Sequence, residues 1–191
     1  MAVLILASSS PRRKALLQQI GVKIDVRPVD IDEAVKANET AHDYVSRLAT
    51  EKAQASQATN GDSLPILGSD TSVVIDGDIL GKPQSDEDAR QMLRRLSGRQ
   101  HQVFSGVCIC HGARCDTRVV ETKVQFKQLS EDLIARYIQT GEPMDKAGAY
   151  GIQGKGAILV NSIAGSFSNV VGLPLETVAD MLTEFNVPYW Q

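Results

Sequence analysis

A short apolar strand that leads directly into a serine-proline helix start is the feature that most constrains the fold of this 191-residue chain. Val3–Ala7 is apolar throughout, which is typical of a fully buried strand. Ser10 suits the N-cap of a helix, Pro11 its first position and Gly21 the residue after its end. A strand, a turn and a helix in this order indicate an α/β fold, with free backbone N–H groups at the turn.

Two arginines, Arg12 and Arg13, follow at the start of this helix. The positive end of the helix dipole lies there, so each cation costs about 0.3–1 kcal/mol unless an anion is present. A phosphate bound at Ser8–Arg13 would reverse the sign, and guanidinium groups suit phosphate oxygens. The residues alone leave two interpretations open, a phosphate site or a capped helix with solvated arginines.

The next part of the chain continues the alternation of strands and helices. Val22–Val26 alternates apolar and polar residues and predicts a half-buried strand. Thr40 is expected to cap a long helix that closes at Asn60-Gly61. A second buried strand, over residues 64–67, is predicted to end in Gly68-Ser69-Asp70.

Hairpins interrupt this alternation in the rest of the chain. Turns are predicted at Asp76-Gly77, at His111-Gly112 and, for a last hairpin, at Ala164-Gly165. Residues 141–156 are predicted to form a long glycine-rich loop, and Pro174 to start a terminal helix. Helices combined with hairpins favour a mixed sheet over a purely parallel one.

The composition limits the partners. A net charge of -3 argues against a nucleic-acid polymer, whereas a small anion can still bind where positive side chains are concentrated. No segment is long and apolar enough to cross a bilayer, so a membrane partner is not expected. The length suits a single domain over residues 1–191.

The three cysteines are an odd number in a chain poor in cysteine, which argues against a disulfide framework and for a reducing compartment. Cys108 and Cys110 alternate in an apolar strand, so they share one face and His111 lies on the other. With Cys115, this spacing matches no standard zinc module, and no metal is expected there.

Several charged or polar residues are candidates for chemistry. Lys52 lies on the apolar stripe of its helix, either as a snorkelling lysine or facing an anion. Asp70, at the expected carboxyl end of a strand, suits either a turn or a site that holds Mg²⁺ or orients a water. Glu33 belongs either to a solvated acidic loop or to the same site. Lys82 adds a positive charge on a stiff turn, and Gln153 lies in the glycine-rich stretch, which is either functional or a mobile surface loop.

Together these residues form a known pattern, and the chain closely resembles the Maf-like nucleoside triphosphate pyrophosphatases over essentially its whole length. The motifs that carry the resemblance occur in order along the chain: Ser8-Ser9-Ser10-Pro11-Arg12-Arg13, Glu33, the Lys52 helix, Gly68-Ser69-Asp70-Thr71, Gly81-Lys82-Pro83, Asp145–Gly154 and Val171-Gly172-Leu173-Pro174. Several motifs in the same order are much more specific than any one of them.

The resemblance implies a two-lobed α/β fold with a mixed, strongly bent sheet and a cleft between the lobes, shared with the inosine triphosphatases. It implies a cytoplasmic house-cleaning enzyme that cleaves nucleoside triphosphates to the monophosphate and pyrophosphate with a divalent metal (Mg²⁺, Mn²⁺ or Co²⁺). Many members are dimers, so a homodimer is an expectation here.

The resemblance also implies roles for individual residues. Asp70 matches the catalytic carboxylate, and Asp70 and Glu33 are expected to hold the metal. The residues expected to line the triphosphate site are Ser9, Arg13, Glu33, Lys52 and Lys82. Arg12, Thr71 and Gln153 match the branch that acts on dTTP and UTP rather than the branch that prefers 7-methyl-GTP.

Chemistry supports this branch in part, because a Gln amide can pair with O4 and N3–H of uracil or thymine. The same amide, flipped, suits cytosine, so CTP and modified pyrimidine nucleotides stay open as substrates. A nucleotide-binding regulator of cell division without significant turnover is the alternative function.

Overall fold

The computed structural model describes residues 1–61 and 63–190. The strands of its sheet are β1 (Leu4–Leu6), β2 (Ile24–Val26), β3 (Ile66–Ile75), β4 (Asp78–Leu80), β5 (Gln100–His111), β6 (Arg114–Phe126) and β7 (Val160–Ala164). The α-helices are α1 (Pro11–Gln19), α2 (Ala41–Asn60), α3 (Asp86–Leu96), α4 (Glu131–Gln139), α5 (Phe167–Val171) and α6 (Leu175–Glu184). In the described part of the chain, no helix has both the length and the apolar character needed to span a membrane.

The sheet is mixed, as the sequence predicts. Its strand order is β2-β1-β3-β5-β6-β7, and β4 pairs with β3. Strand β1 runs parallel to both β2 and β3, whereas β3 and β4, and β6 and β7, are antiparallel. The expected class, α/β with a mixed sheet and flanking helices, is therefore confirmed, while the strong bend and the cleft between lobes stay predictions.

The chain divides into two compact units. The first comprises Met1–Thr71, Ser105–Val120 and Gly172–Gln191, and its core includes the fully buried side chains of Leu6, Leu48 and Met181. The second comprises Ser72–Phe104 and Glu121–Val171. Its core is a cluster that includes Leu93, Phe126 and Tyr150.

The helices begin where their capping residues predict. The Ser10 hydroxyl accepts a hydrogen bond from the Arg13 backbone N–H, and Thr40 caps α2 in the same way through Asp43. Ser85 and Ser130 likewise cap α3 and α4. These caps satisfy N–H groups that the first turn of a helix leaves without a partner.

One predicted boundary is wrong. The sequence predicts a strand over residues 64–67 with Asp70 at its carboxyl end, and a hairpin turn at Asp76-Gly77. The structure joins these segments, because β3 runs without interruption from Ile66 to Ile75. Its first residues pair in parallel with β1 and its last residues pair with β4. Asp70 thus lies inside a strand, after the pairing with β1 has ended at Leu67. The apolar pattern cannot show this, because Gly68, Ser69 and Asp70 are buried although they break it.

The region after α4 also differs from its prediction. The stretch 141–156 is not a structureless loop, since it contains the 3-10 helices Glu142–Asp145 and Ala147–Ala149 and the start of a third, Gly154–Leu159. The hairpin expected at Ala164-Gly165 is absent too, because β7 is followed by α5. The hydroxyl of Ser166 accepts the Asn169 N–H, and its carbonyl accepts the Val170 N–H, which turns the chain into a helix.

The cysteines depart from the expectation that no disulfide forms. Cys110 and Cys115 face each other across the turn between β5 and β6, with 4.2 Å between their Cα atoms, and they are bonded as a disulfide. Cys108 is a buried free thiol. The three sulfur atoms are close together. Because two of them are bonded to each other, this structure does not offer three free thiolates to a metal.

A buried histidine lies in the core of the second unit. His101 is only 2% exposed, and its Nε2 is 2.7 Å from the hydroxyl of Tyr150. The ring also packs edge-on against Phe126, with 5.0 Å between ring centroids. Burial lowers the pKa of His101 from 6.5 to about 4, so the ring is neutral at physiological pH.

This pKa predicts a loss of stability in acid. The unfolded chain binds a proton at His101 near pH 6.5 and the folded chain only near pH 4, so the free energy of unfolding falls as the pH drops between these values. The loss should reach about 3 kcal/mol. Urea unfolding at a series of pH values should show a shallower slope for His101→Gln. His42→Gln, a change at an exposed histidine, should keep the wild-type slope, and equal slopes for all three proteins would contradict the assignment.

Candidate functional site

Three charged side chains meet in the first unit. The ammonium of Lys52 lies 2.8 Å from Oδ1 of Asp70 and 2.6 Å from Oε1 of Glu33. The Lys52 side chain is 10% exposed and that of Asp70 12%, whereas 53% of the Glu33 side chain is exposed. Lys52 is therefore not a snorkelling lysine at the helix edge, because its charged end is drawn inward to two carboxylates.

Close packing of α2 on β3 makes this meeting possible. Gly68 lies against the helix at Ala49 and Ala53, and a Cβ at Gly68 would come within 2.6 Å of the Ala53 backbone nitrogen. Asp70 is two residues further along the strand, so its side chain leaves the same face as a side chain at position 68 would. Lys52 precedes Ala53 on the helix, so its side chain can reach the carboxylate of Asp70. A glycine in β3 thus sets the distance between the lysine and the aspartate.

Glu33 is held near Lys52 by its own segment. The Tyr44 hydroxyl donates to the carbonyl of Glu33 at 2.9 Å, and Arg47 donates to the carbonyl of Ala34 at 3.0 Å. Arg47 also binds both carboxylate oxygens of Glu39, and this hydrogen bonding lowers the pKa of Glu39 to about 2. The acidic stretch is therefore anchored to α2 and is not simply a solvated loop.

Arg13 is held by three acceptors of the protein. Its Nε donates to the carbonyl of Gly172 at 3.0 Å, Nη1 to Ser8 Oγ at 3.1 Å and Nη2 to Thr71 Oγ1 at 3.1 Å. Burial lowers the pKa of this guanidinium, while the nearby Asp70 raises it. Arg13 thus ties the start of α1 to β3 and to the segment before α6.

Thr71 is part of the same network. Its hydroxyl lies 2.8 Å from Ser105 Oγ and 3.3 Å from the carbonyl of Gly172. The Thr71 hydroxyl, next to Asp70 in the chain, is thus hydrogen-bonded to Arg13, Ser105 and Gly172. This network fixes the strand at the residue next to the carboxylate.

The structure brings together only part of the predicted set. Seven of its members lie in the first unit: Ser9, Arg12, Arg13, Glu33, Lys52, Asp70 and Thr71. Of these, Ser9 is exposed at the turn after β1 and Arg12 is half-buried in the first turn of α1. Lys82 and Gln153 are exposed residues of the second unit. Their place in a common site with the others stays a prediction.

Sequence reasoning missed some members of the network. Ser8 accepts hydrogen bonds from the Arg13 side chain and from the Ser10 N–H. It belongs to the segment Ser8–Arg13, which the sequence indicates as a possible phosphate site, but it has no role of its own there. Tyr44 lies eight residues before Lys52, which places both on one face of a helix, so a signal existed. Gly172 belongs to the motif Val171-Gly172-Leu173-Pro174, although the sequence assigns no role to its carbonyl. Ser105 lies in no motif, because it meets Thr71 only through the fold.

The two carboxylates have the chemistry of a cation site. Asp70 and Glu33 already converge on one positive charge, that of Lys52. Carboxylate oxygens suit hard divalent cations, and Mg²⁺ is usually held by one or two carboxylates together with substrate phosphates. The donor set fits a metal of this kind.

Comparison with known proteins places the chain in a family. The family described as Maf-like protein matches residues 3–185. The chain therefore belongs to the Maf-like protein family. This match extends across both compact units.

Relatives match over nearly their whole length. A dTTP/UTP pyrophosphatase of Alcanivorax borkumensis is 50% identical over 99% of this chain and 98% of its own. One of Shewanella denitrificans is 54% identical over 90% of each chain. A nucleoside triphosphate pyrophosphatase of Haemophilus ducreyi is 51% identical over 96% of this chain and 95% of its own. A crystal structure of a dITP/XTP pyrophosphatase from Mycobacterium abscessus aligns with 96% of this chain and 95% of its own chain. Its sequence identity is 15% and its TM-score is 0.47, so the family membership rests on the sequence matches alone.

The Arg13 network predicts a stability effect. Arg13→Lys keeps the positive charge, but an ammonium group cannot reach the three acceptors that the planar guanidinium binds. The free energy of unfolding should therefore fall by about 2–3 kcal/mol. Chemical unfolding without nucleotide measures this loss. Arg136→Lys, at an exposed ion pair with Asp132, should change the stability by less than about 0.5 kcal/mol. Equal effects of the two substitutions would show that the three contacts of Arg13 do not stabilise the fold.

Proposed function

We propose that this protein is a nucleoside triphosphate pyrophosphatase that hydrolyses dTTP and UTP to the monophosphate and pyrophosphate, a house-cleaning activity. The observation that carries the proposal is the inward-facing pair of Lys52 and Asp70, with Glu33 on the same ammonium. The proposal is supported by relatives named dTTP/UTP pyrophosphatase, which are about half identical to this chain over nearly its full length.

Asp70 is the proposed general base. Its carboxylate takes a proton from a water molecule whose oxygen attacks the α-phosphorus. The new P–O bond forms as the bond from the α-phosphorus to the bridging oxygen breaks, and pyrophosphate leaves. Lys52 holds Oδ1 of Asp70, which orients the carboxylate.

Positive side chains and helix N–H groups stabilise the charge of the triphosphate. Ser9, Arg12 and Arg13 belong to the turn at the start of α1, where the dipole favours an anion. Three donor atoms of Arg13 already bind protein groups, so its remaining N–H groups are those available to phosphate. Lys52 and Lys82 are proposed to neutralise the charge that builds on the leaving pyrophosphate.

A divalent cation (Mg²⁺, Mn²⁺ or Co²⁺) is the proposed cofactor. Asp70 and Glu33 are the residues that would hold it, and when bound it would supply positive charge to the phosphate oxygens. The ammonium of Lys52 contacts both carboxylates and so holds them close to each other.

Gln153 is proposed to read the base through its amide, which suits O4 and N3–H of thymine or uracil. Because the amide can flip, cytosine remains to be tested. Arg12 and Thr71 are the other two positions that match the dTTP/UTP branch of the family. The Thr71 hydroxyl is engaged by Arg13, so we expect Thr71 to act by fixing the local backbone.

We place this activity on free nucleotides in the cytoplasm, without a nucleic-acid polymer or a membrane as partner, and we expect a homodimer. Light scattering after size-exclusion chromatography measures the mass of the assembly. A chain that binds dTTP tightly but releases no pyrophosphate would instead be the nucleotide-binding regulator of cell division.

Loss of the proposed base should abolish turnover and spare the fold. Asp70→Asn keeps an oxygen that accepts from Lys52 but cannot take a proton, so pyrophosphate release from dTTP should fall by about 10²–10⁴-fold. The melting temperature should stay close to that of the wild type. Asp78→Asn, at an exposed ion pair with Arg95, is the matched control and should keep full activity. Wild-type rates in Asp70→Asn would refute the proposed role.

A panel of triphosphates tests cleavage position, base and metal together. With Mg²⁺, Mn²⁺ or Co²⁺, dTTP and UTP should release pyrophosphate and no orthophosphate. Gln153→Ala should lower kcat/KM for dTTP by about tenfold. The loss for dGTP should be much smaller: O6 and N1–H of guanine offer the same hydrogen-bonding pattern, but the amide is proposed to meet the edge of the smaller pyrimidine ring. Release of orthophosphate, or an equal loss for both bases, would contradict the assignment.

A further inference from the structure

A carboxylate of the second unit has no part in the proposed chemistry, yet it binds the segment that carries Gln153. Glu142 begins the 3-10 helix that follows α4. Its Oε1 accepts the Gly156 N–H at 2.9 Å, and its Oε2 accepts the Lys155 N–H at 3.0 Å. Two consecutive backbone N–H groups just after Gln153 are thus bound by one side chain.

Tyr137, a buried residue of α4, ties this carboxylate to the other side of Gln153. Its hydroxyl donates to Oε1 of Glu142 at 2.9 Å and accepts the Gly151 N–H at 3.2 Å. Gln153 therefore stands between two fixed points, one at Gly151 and one at residues 155–156. Hydrogen bonds to the charged carboxylate are stronger than those to neutral groups.

The glycines on both sides of Gln153 are explained by the same contacts. Gly154 has a φ of 76°, and a Cβ there would lie 2.9 Å from Oε2 of Glu142. A Cβ at Gly156 would lie 2.6 Å from the Tyr137 hydroxyl, and one at Gly151 would lie 2.7 Å from Cε of Lys146. These glycines let the backbone approach the side chains of Glu142, Tyr137 and Lys146 closely.

The surroundings of Glu142 favour its charged form. Burial raises the pKa of Glu142, but the hydrogen bonds from Lys155, Gly156 and Tyr137 outweigh it and hold the pKa below its ordinary value. The base-reading side chain itself is exposed, and the backbone that carries it is fixed.

We propose that Glu142, together with Tyr137, is the positioning residue for base selection: it holds residues 151–156 so that the amide of Gln153 meets a pyrimidine ring. The inference rests on the proposed function. Fixing a recognition side chain through its backbone lowers the entropy lost on binding, so the effect should appear in KM for the preferred base.

The test uses the full chain and two independent substitutions. Glu142→Gln replaces an accepting oxygen by an NH₂ group, and Tyr137→Phe removes the hydroxyl that joins Glu142 to Gly151. Each should lower the ratio of kcat/KM for dTTP to that for dGTP by about three- to tenfold, through a higher KM for dTTP at similar kcat. Amide hydrogen exchange at residues 151–156 should become faster in both variants.

Glu131→Gln is the matched control, because Glu131 is an exposed carboxylate of the same unit that pairs with Arg94. Glu131→Gln should leave unchanged both the ratio of kcat/KM for dTTP to that for dGTP and the amide hydrogen exchange at residues 151–156. A ratio that stays at the wild-type value in Glu142→Gln and Tyr137→Phe but falls in Gln153→Ala would overturn the role of Glu142 and leave the proposed function standing. An equal loss for both nucleotides would also overturn it, since that is the effect of a merely structural residue. If the wild type releases no pyrophosphate from dTTP, the proposed function fails and this inference fails with it.

Discussion

The close approach of α2 to β3 at Gly68 is the contact on which the candidate site depends. Without a Cβ at position 68, the strand reaches the backbone of the helix at Ala49 and Ala53. Lys52 is then near enough to Asp70 for a 2.8 Å contact, and Glu33 joins the same ammonium. A charge pair with little exposure is costly to desolvate and is retained only where its geometry is good. The glycine supplies that geometry.

Around this pair and around Gln153, polar side chains hold the neighbouring backbone in place. Arg13 and Thr71 fix the residues next to Asp70 through contacts with Ser8, Ser105 and the Gly172 carbonyl. In the second unit, Glu142 and Tyr137 do the same for the segment of Gln153. In both cases a polar side chain binds backbone or hydroxyl groups of distant residues, which is how an exposed or half-buried side chain acquires a defined place.

Much of the fold could be predicted because it depends on local preferences. The serines and threonine that begin α1 to α4 accept the N–H groups of the first turn, and this preference acts within four residues. One prediction failed where packing between strands decided the outcome: Asp70 lies within β3, whose first residues pair with β1 and whose last residues pair with β4. Another failed where a local signal was missed, since Ser166 caps the helix α5 in place of the predicted hairpin. Cys110 and Cys115 meet because the hairpin pairs them.

The sequence by itself determined the class of fold and the family, because apolar periodicity, caps and ordered motifs are local and specific. It also singled out the residues of the candidate site, whose roles stay predictions. Only the tertiary structure decided that Lys52 is an inward-facing partner of Asp70 and that Arg13 is bound on three sides by the protein. These contacts join residues 18 and 159 positions apart, respectively. No local preference encodes contacts at such separations, since they form only when packed elements bring the side chains together.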